Sequence, residues 1–126
     1  MADSQFDSLI ILAHRDMQAL QVLMLHDNLK SHTYFHAQQV IEKSLKAVLS
    51  AKGVSYPLTH NLLVLKKAPT DVGVACRVDD DVLGKIMPFA VEARYDEEIE
   101  TTLPLELTLE TVKSVLEWVE QYRPRF

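Results

Sequence analysis

The side chains in this sequence best suited to holding a phosphate are Lys43, Lys46, His60 and Arg94. Arginine offers two parallel donors that match two phosphate oxygens, and lysine offers a point charge. His60 follows Thr59 at the expected start of a helix, where free backbone N–H groups and the helix dipole favour anions. Cutting a phosphodiester without a metal asks for something else, a group that gives and takes a proton near neutral pH. Imidazole has that property, whereas a guanidinium stays protonated. Each residue also has a plainer reading. Arg94 can pair with Asp96, Glu97 or one of Asp79, Asp80 and Asp81, and the acidic run Asp96, Glu97, Glu98 repels phosphate beside it. Lys43 and Lys46 suit a solvated helix face or a subunit interface, and His60 can pack on the second helix and bond a backbone carbonyl.

Other constellations are weaker. Glu42 and Lys46 stand at the i to i+4 helical spacing, as do Gln39 and Lys43, which reads as an ordinary surface arrangement. His32 and His36 share that spacing, but two ligands do not make a site and no Glu-x-x-His partner accompanies them, so no metal is expected. Cys76 has no adjacent base, and there is no glycine-rich phosphate loop, so neither a catalytic thiol nor a nucleotide-hydrolase signature is present. Nothing calls for a cofactor.

These side chains need a helical frame. Phe6, Ile10, Ala13, Met17, Leu20 and Met24 recur at spacings of four and three and predict a first helix, with Asp3 or Ser4 as its cap and an end near His26 to Leu29. A second helix from about Thr33 to Lys52 carries Tyr34, Ala37, Ile41, Leu45 and Val48 on one face, with Gly53 as its left-handed terminus, antiparallel to the first. After a turn at Pro57, Thr59 is expected to cap a short helix from His60 to about Lys67, ended by Pro69. Residues 68 to 78 read as a loop. Asp79 to Asp81 then open a fourth helix through Leu83, Ile86, Met87, Ala90 and Ala93, kinked or broken at Pro88. A polar connection from Asp96 to Glu106 leads to the last helix, with Thr108 as cap and Leu109, Val112, Leu116 and Val119 buried beside Trp118. The expected architecture is all-α, an up-and-down four-helix bundle with one additional short helix, in a single domain spanning 1–126.

The stretch from Phe35 to Leu63 resembles the core of the HEPN family, through Ala37, Glu42, Lys43, Leu45, Lys46 and Ala47, then Pro57, Thr59, His60 and Leu62. The resemblance extends over roughly residues 5 to 122 and recurs at Ala93-Arg94-Tyr95-Asp96, close to the family's A-R-Y-P-D form without its proline. Family members that cut RNA carry an arginine followed, after four to six residues, by a histidine, and two such motifs meet across a dimer. Only Arg94 matches here. The positions for that histidine hold Ile99, Glu100 and Thr101, so the resemblance implies a module with no catalytic residue. It also implies a homodimer that binds nucleotide or RNA and a small nucleotidyltransferase as partner, in a toxin-antitoxin-like pair.

Composition narrows the alternatives. With 126 residues, 48% hydrophobic and 25% charged, the chain can bury one core without metal or disulfide. A formal net charge of −5 argues against sequence-independent binding along a nucleic-acid backbone, so a nucleic-acid site must be local. The candidate patch is Lys43, Lys46, Lys52, Lys66, Lys67 and His60. The single cysteine and the acidic beginning point to the cytoplasm, and the longest apolar run, Leu9 to Ala13, is too short for a bilayer. Two further functions stay open: a metal-independent ribonuclease with a rearranged Arg94-based site using His60 or Glu97, and a structural interaction bundle docking through Phe35, Phe89 and Trp118.

Overall fold

The computed structural model describes residues 2–56, 58–90 and 103–124, and among them every regular element is a helix. Pro57, the Ala93 to Asp96 segment with Arg94, and Ile99 to Thr101 lie outside the described residues. We number the helices α1 (Ala2–Leu23), α2 (Lys30–Ala51), α3 (Leu62–Thr70), α4 (Asp80–Ile86) and α5 (Leu105–Glu120). Short 3₁₀ turns occupy Asp27–Leu29 and Met87–Ala90.

α2 is the central element. Tyr34, Ala37, Val40, Ile41, Leu45, Val48 and Leu49 are all buried, so its apolar residues point to several sides instead of one stripe. On one side Tyr34, Ile41, Leu45 and Leu49 meet Leu62 and Leu65 of α3, Leu83 and Ile86 of α4, Phe89, and Val115 of α5. On another, Ala37 and Val40 meet Ala13, Met17 and Leu20 of α1 with Val112 and Leu116 of α5. Ala47 and Val48 close the far end against Phe6, Ile10, Val74 and Val119. Gln5 beside Ser50, with Asp16 beside His36 and Lys43, fixes α1 and α2 as antiparallel.

The stripes expected for α1 and α2 are buried as read, with Met24 half-buried at the edge. Gly53 has φ 70, and its N–H reaches Ser50 O while Val54 N–H reaches Leu49 O, the paired bonds of a Schellman terminus. Gly73, φ 79, ends α3 in the same manner through Gly73 N to Thr70 O and Val74 N to Pro69 O.

Several boundaries differ from expectation. α1 begins at Ala2, so Asp3 and Ser4 lie inside its first turn. The cap of α3 is Asn61, whose side chain accepts from Leu63 N and Val64 N, while Thr59 Oγ1 accepts from Asn61 N one turn earlier. Pro69 does not end α3 but sits within its last turn, and the helix stops where Gly73 turns left-handed. α5 begins at Leu105 behind Pro104, and Thr108 lies in its interior, buried, with Oγ1 donating back to Pro104 O. Threonine is ambiguous in sequence because its hydroxyl can serve a helix start or bond the carbonyl four residues back. Pro88 behaves as expected, since α4 ends at Ile86 and Met87–Ala90 continues as 3₁₀. No helix among the described residues is long and apolar enough to cross a membrane.

Candidate functional site

Two carboxylates lie under the polar side of α2, and each holds an imidazole and an ammonium group. Glu42 Oε1 accepts from His60 Nδ1 at 2.9 Å and from Gln38 Nε2 at 3.0 Å, while Oε2 accepts from Lys46 Nζ at 3.1 Å. Asp16, from α1, accepts from His36 Nδ1 at 2.7 Å and from Lys43 Nζ. Gln38 is fully buried and ties the network to the chain before α3 by donating to His60 O at 3.1 Å, and its own oxygen accepts from Gln39 Nε2 at 2.6 Å. Lys46 also lies over the Tyr56 ring at 5.6 Å, and Tyr56 Oη accepts from Gln5 Nε2 at 2.7 Å.

Burial alone pushes the Glu42 carboxyl up. Hydrogen bonds from Gln38, His60 and Lys46, with the Lys46 charge, outweigh that and hold it below its ordinary value of 4.5. Asp16 follows the same balance, with burial raising it and His36 and Lys43 bringing it below 3.8. Both are therefore carboxylates at neutral pH, and a carboxylate can only accept. Nδ1 of His36 and of His60 must carry the proton, which leaves Nε2 of each ring as the second functional atom. The His60 side chain is 59% exposed, so its outer edge faces solvent above a carboxylate that is only 6% exposed. The two ammonium groups cancel the two carboxylates, so with neutral imidazoles this face has no formal charge.

The structure brings Lys46 and His60 together on one carboxylate and sends Lys43 to the next. Glu42 and Lys46 do pair at i to i+4, but Glu42 is buried, not part of a surface arrangement. Gln39 bonds Gln38, and Lys43 reaches Asp16 across the helix pair. His60 does bond α2, through its ring to Glu42, while its carbonyl accepts from Gln38. The wider lysine patch is not one cluster of free cations: Lys66 bonds Asp80 and Val78 O, and Lys52 lies over the Tyr122 ring at 5.5 Å. Arg94, outside the described residues, has no assigned place relative to this face.

Asp16 and Gln38 were missed by the sequence reading, although a signal existed. Asp16 stands three residues after Ala13 and four before Leu20, and Gln38 four after Tyr34 and three before Ile41, so both fall on stripes that face the core. A polar residue there must find a buried partner. His36 is bound to Asp16 instead of pairing with His32. The Cys76 thiol is pushed up by burial, away from the nucleophilic thiolate form. Of the aromatic residues expected at a docking surface, Phe89 is buried and stacks on Tyr34 at 4.9 Å, Phe35 packs partly buried on the core, and Trp118 is half-buried.

No curated protein and no solved structure matches this chain. The sequence model of the HEPN domain matches residues 7–122, nearly the whole chain, a span that includes Ala37 to Ala47 of α2 and Thr59, His60 and Leu62 at the entry to α3. The chain belongs to the HEPN domain family.

Proposed function

We propose that this HEPN domain works as a homodimer in the cytoplasm, binds nucleotide or RNA without cutting it, and docks a nucleotidyltransferase in a toxin-antitoxin-like pair. The observation that carries the binding reading is the exposed edge of His60, fixed by Glu42 beside Lys46 in the chain just before the Asn61 cap of α3. A held imidazole edge supports recognition of one phosphate, with Lys46 and Lys43 already paired to Glu42 and Asp16 and Arg94 proposed to supply the free positive charge. The reading without cleavage rests on Ile99, Glu100 and Thr101 standing where the family's ribonucleases carry histidine.

Calorimetry with ATP and with short RNA tests the binding, and Arg94→Ala is expected to abolish it. Absence of binding by the unaltered protein removes the nucleotide and RNA reading and leaves partner docking. An adjacent reading frame encoding a nucleotidyltransferase supports the pairing.

One observation favours a second reading, a ribonuclease with a rearranged site. His60 has the fixed tautomer and the solvent-facing Nε2 that a general base needs, with Glu42 positioned to stabilise the imidazolium. Incubation with labelled RNA separates the two readings. Cleavage lost in both His60→Gln and Arg94→Ala establishes the enzyme, and identical background in all three proteins ends it.

A further inference from the structure

An open trough of about 860 Å³ runs along the outer side of α5, facing Gly73 to Asp79 and Val82. Its floor is apolar and aromatic, formed by Val82, Val115, Trp118 and Tyr122, with Leu107 exposed at one end. Trp118 is fixed there, its Nε1 donating to Ala75 O at 3.0 Å and its ring edge-on to Tyr122 at 5.4 Å. Leu107, Thr111, Ser114, Trp118 and Gln121 follow one another at spacings of four and three, so a single face of α5 lines the trough for about 22 Å. Thr111 and Ser114 at mid-length are small, which lets another backbone come close.

The charge beside this face is one-sided. Glu106, Glu110, Lys113, Glu117 and Glu120 form the neighbouring exposed row of α5, four acids against one base. Among the described residues, Glu120 alone of the four has a cation bound to it, Arg123. Across the trough Arg77 and Asp79 offset each other. An amphipathic helix laid in a groove brings apolar anchors at i, i+3 or i+4, and i+7, with its own charges at the rim. Rim charge selects the partner by complementarity. A second copy of this chain fits poorly: the exposed apolar residues Ile11 and Val22 of α1 and Leu25 just after it are flanked by Asp7 and Asp27 as well as Arg15 and Lys30, and the chain as a whole has a net charge of −5.

We propose that this trough docks a basic amphipathic helix, about four turns long, from a different protein. The proposal specifies the chemistry of the partner-docking part of the reading above and shares no residue with the phosphate face, so the two fail independently.

Trp118 is the only tryptophan, and its emission reports on the trough directly. The probe is a synthetic helical peptide of about 15 residues with leucines at helical spacing and flanking lysines, titrated into the full chain by calorimetry and fluorescence. Saturable binding with a shift in Trp118 emission is expected. It should weaken roughly tenfold or more in Ser114→Arg, which fills the middle of the groove, and several-fold in Glu110→Lys. Circular dichroism checks that each variant folds, and Gln121→Arg is the alternative block at the far end. The proposal is overturned by absence of both heat and emission change, or by equal binding of a peptide with glutamate in place of lysine. A shift from dimer to monomer in Ser114→Arg, read by light scattering, also overturns it, because a second copy then occupies the trough.

Discussion

Glu42→Ala is the perturbation that most directly tests whether the polar side of α2 holds the fold together. Glu42 is 6% exposed and Lys46 14% exposed, so truncating the carboxylate strands an ammonium group in a poorly solvated site and leaves Gln38 Nε2 one acceptor short. Removing one partner of a buried pair costs about 3–5 kcal/mol. Lys46 keeps some solvent and the Tyr56 ring at 5.6 Å, and His60 is exposed enough to find water, so the expected loss is at the low end, about 3 kcal/mol. Glu42→Gln preserves shape and one acceptor and is expected to lose about 1–2 kcal/mol. Urea unfolding followed by Trp118 emission measures both, provided the slope with denaturant stays constant. The pH profile supplies a second readout. The folded pKa of Glu42 lies below its ordinary value of 4.5, so its stabilisation is complete above that value and is lost as pH falls through the folded pKa. Asp16 adds a second loss beginning below 3.8. Glu42→Gln should flatten the upper part of this acid limb and leave the Asp16 part in place. A Glu42→Ala protein within about 1 kcal/mol of the parent, with an unchanged acid limb, refutes the reasoning.

The other expected outcomes concern single, local terms. Ser44 Oγ is buried with no hydrogen-bond partner among the described residues, so Ser44→Ala should stabilise by about 1 kcal/mol in the same unfolding assay. Asn61→Ala removes the side chain that accepts from two N–H groups of α3 and should cost about 1 kcal/mol, clearly more than Thr59→Ala, which loses one bond. Gly53→Ala forces a side chain into φ 70 and should cost about 1–2 kcal/mol, although nothing lies within 4 Å of the added carbon; thermal melting of the two proteins decides it. RNA binding at the α2 face should depend weakly on salt, with a log–log slope of about −0.7 for a single phosphate contact. A slope steeper than about −4 places the contacts on other lysines.

The helices were legible because their apolar periodicity reflects burial, and the stripes of α1 and α2 coincide with buried residues at every position but the half-buried Met24. The terminus at Gly53 was legible because only glycine takes that conformation cheaply. Caps were read less well. Thr59 and Thr108 each have the right chemistry, yet Asn61 and Pro104 hold the cap positions, since a side chain one turn away can present the same oxygen to a different group. The polar network was half visible. The Glu42 and Lys46 pair follows from helical spacing, but its burial depends on α1 and on the chain before α3 folding over it. Lys43 bonding Asp16 spans 27 residues, and no local rule selects that partner over Gln39 four residues earlier on the same helix.

That pairing changes what the site can do. A lysine already bound to a buried carboxylate contributes little net attraction to phosphate, since the anion meets the carboxylate field as well as the ammonium charge. Lys43 and Lys46 therefore serve first as counterions that allow Asp16 and Glu42 to stay ionised inside the fold, and these carboxylates in turn orient His36 and His60. On the proposed function, the net positive charge for a phosphate is therefore asked of Arg94, whose guanidinium stays protonated, and not of the two paired lysines. An anion at His60 then meets a ring that Glu42 holds by accepting from Nδ1, so this carboxylate acts by orienting the imidazole even though its own charge repels phosphate at long range.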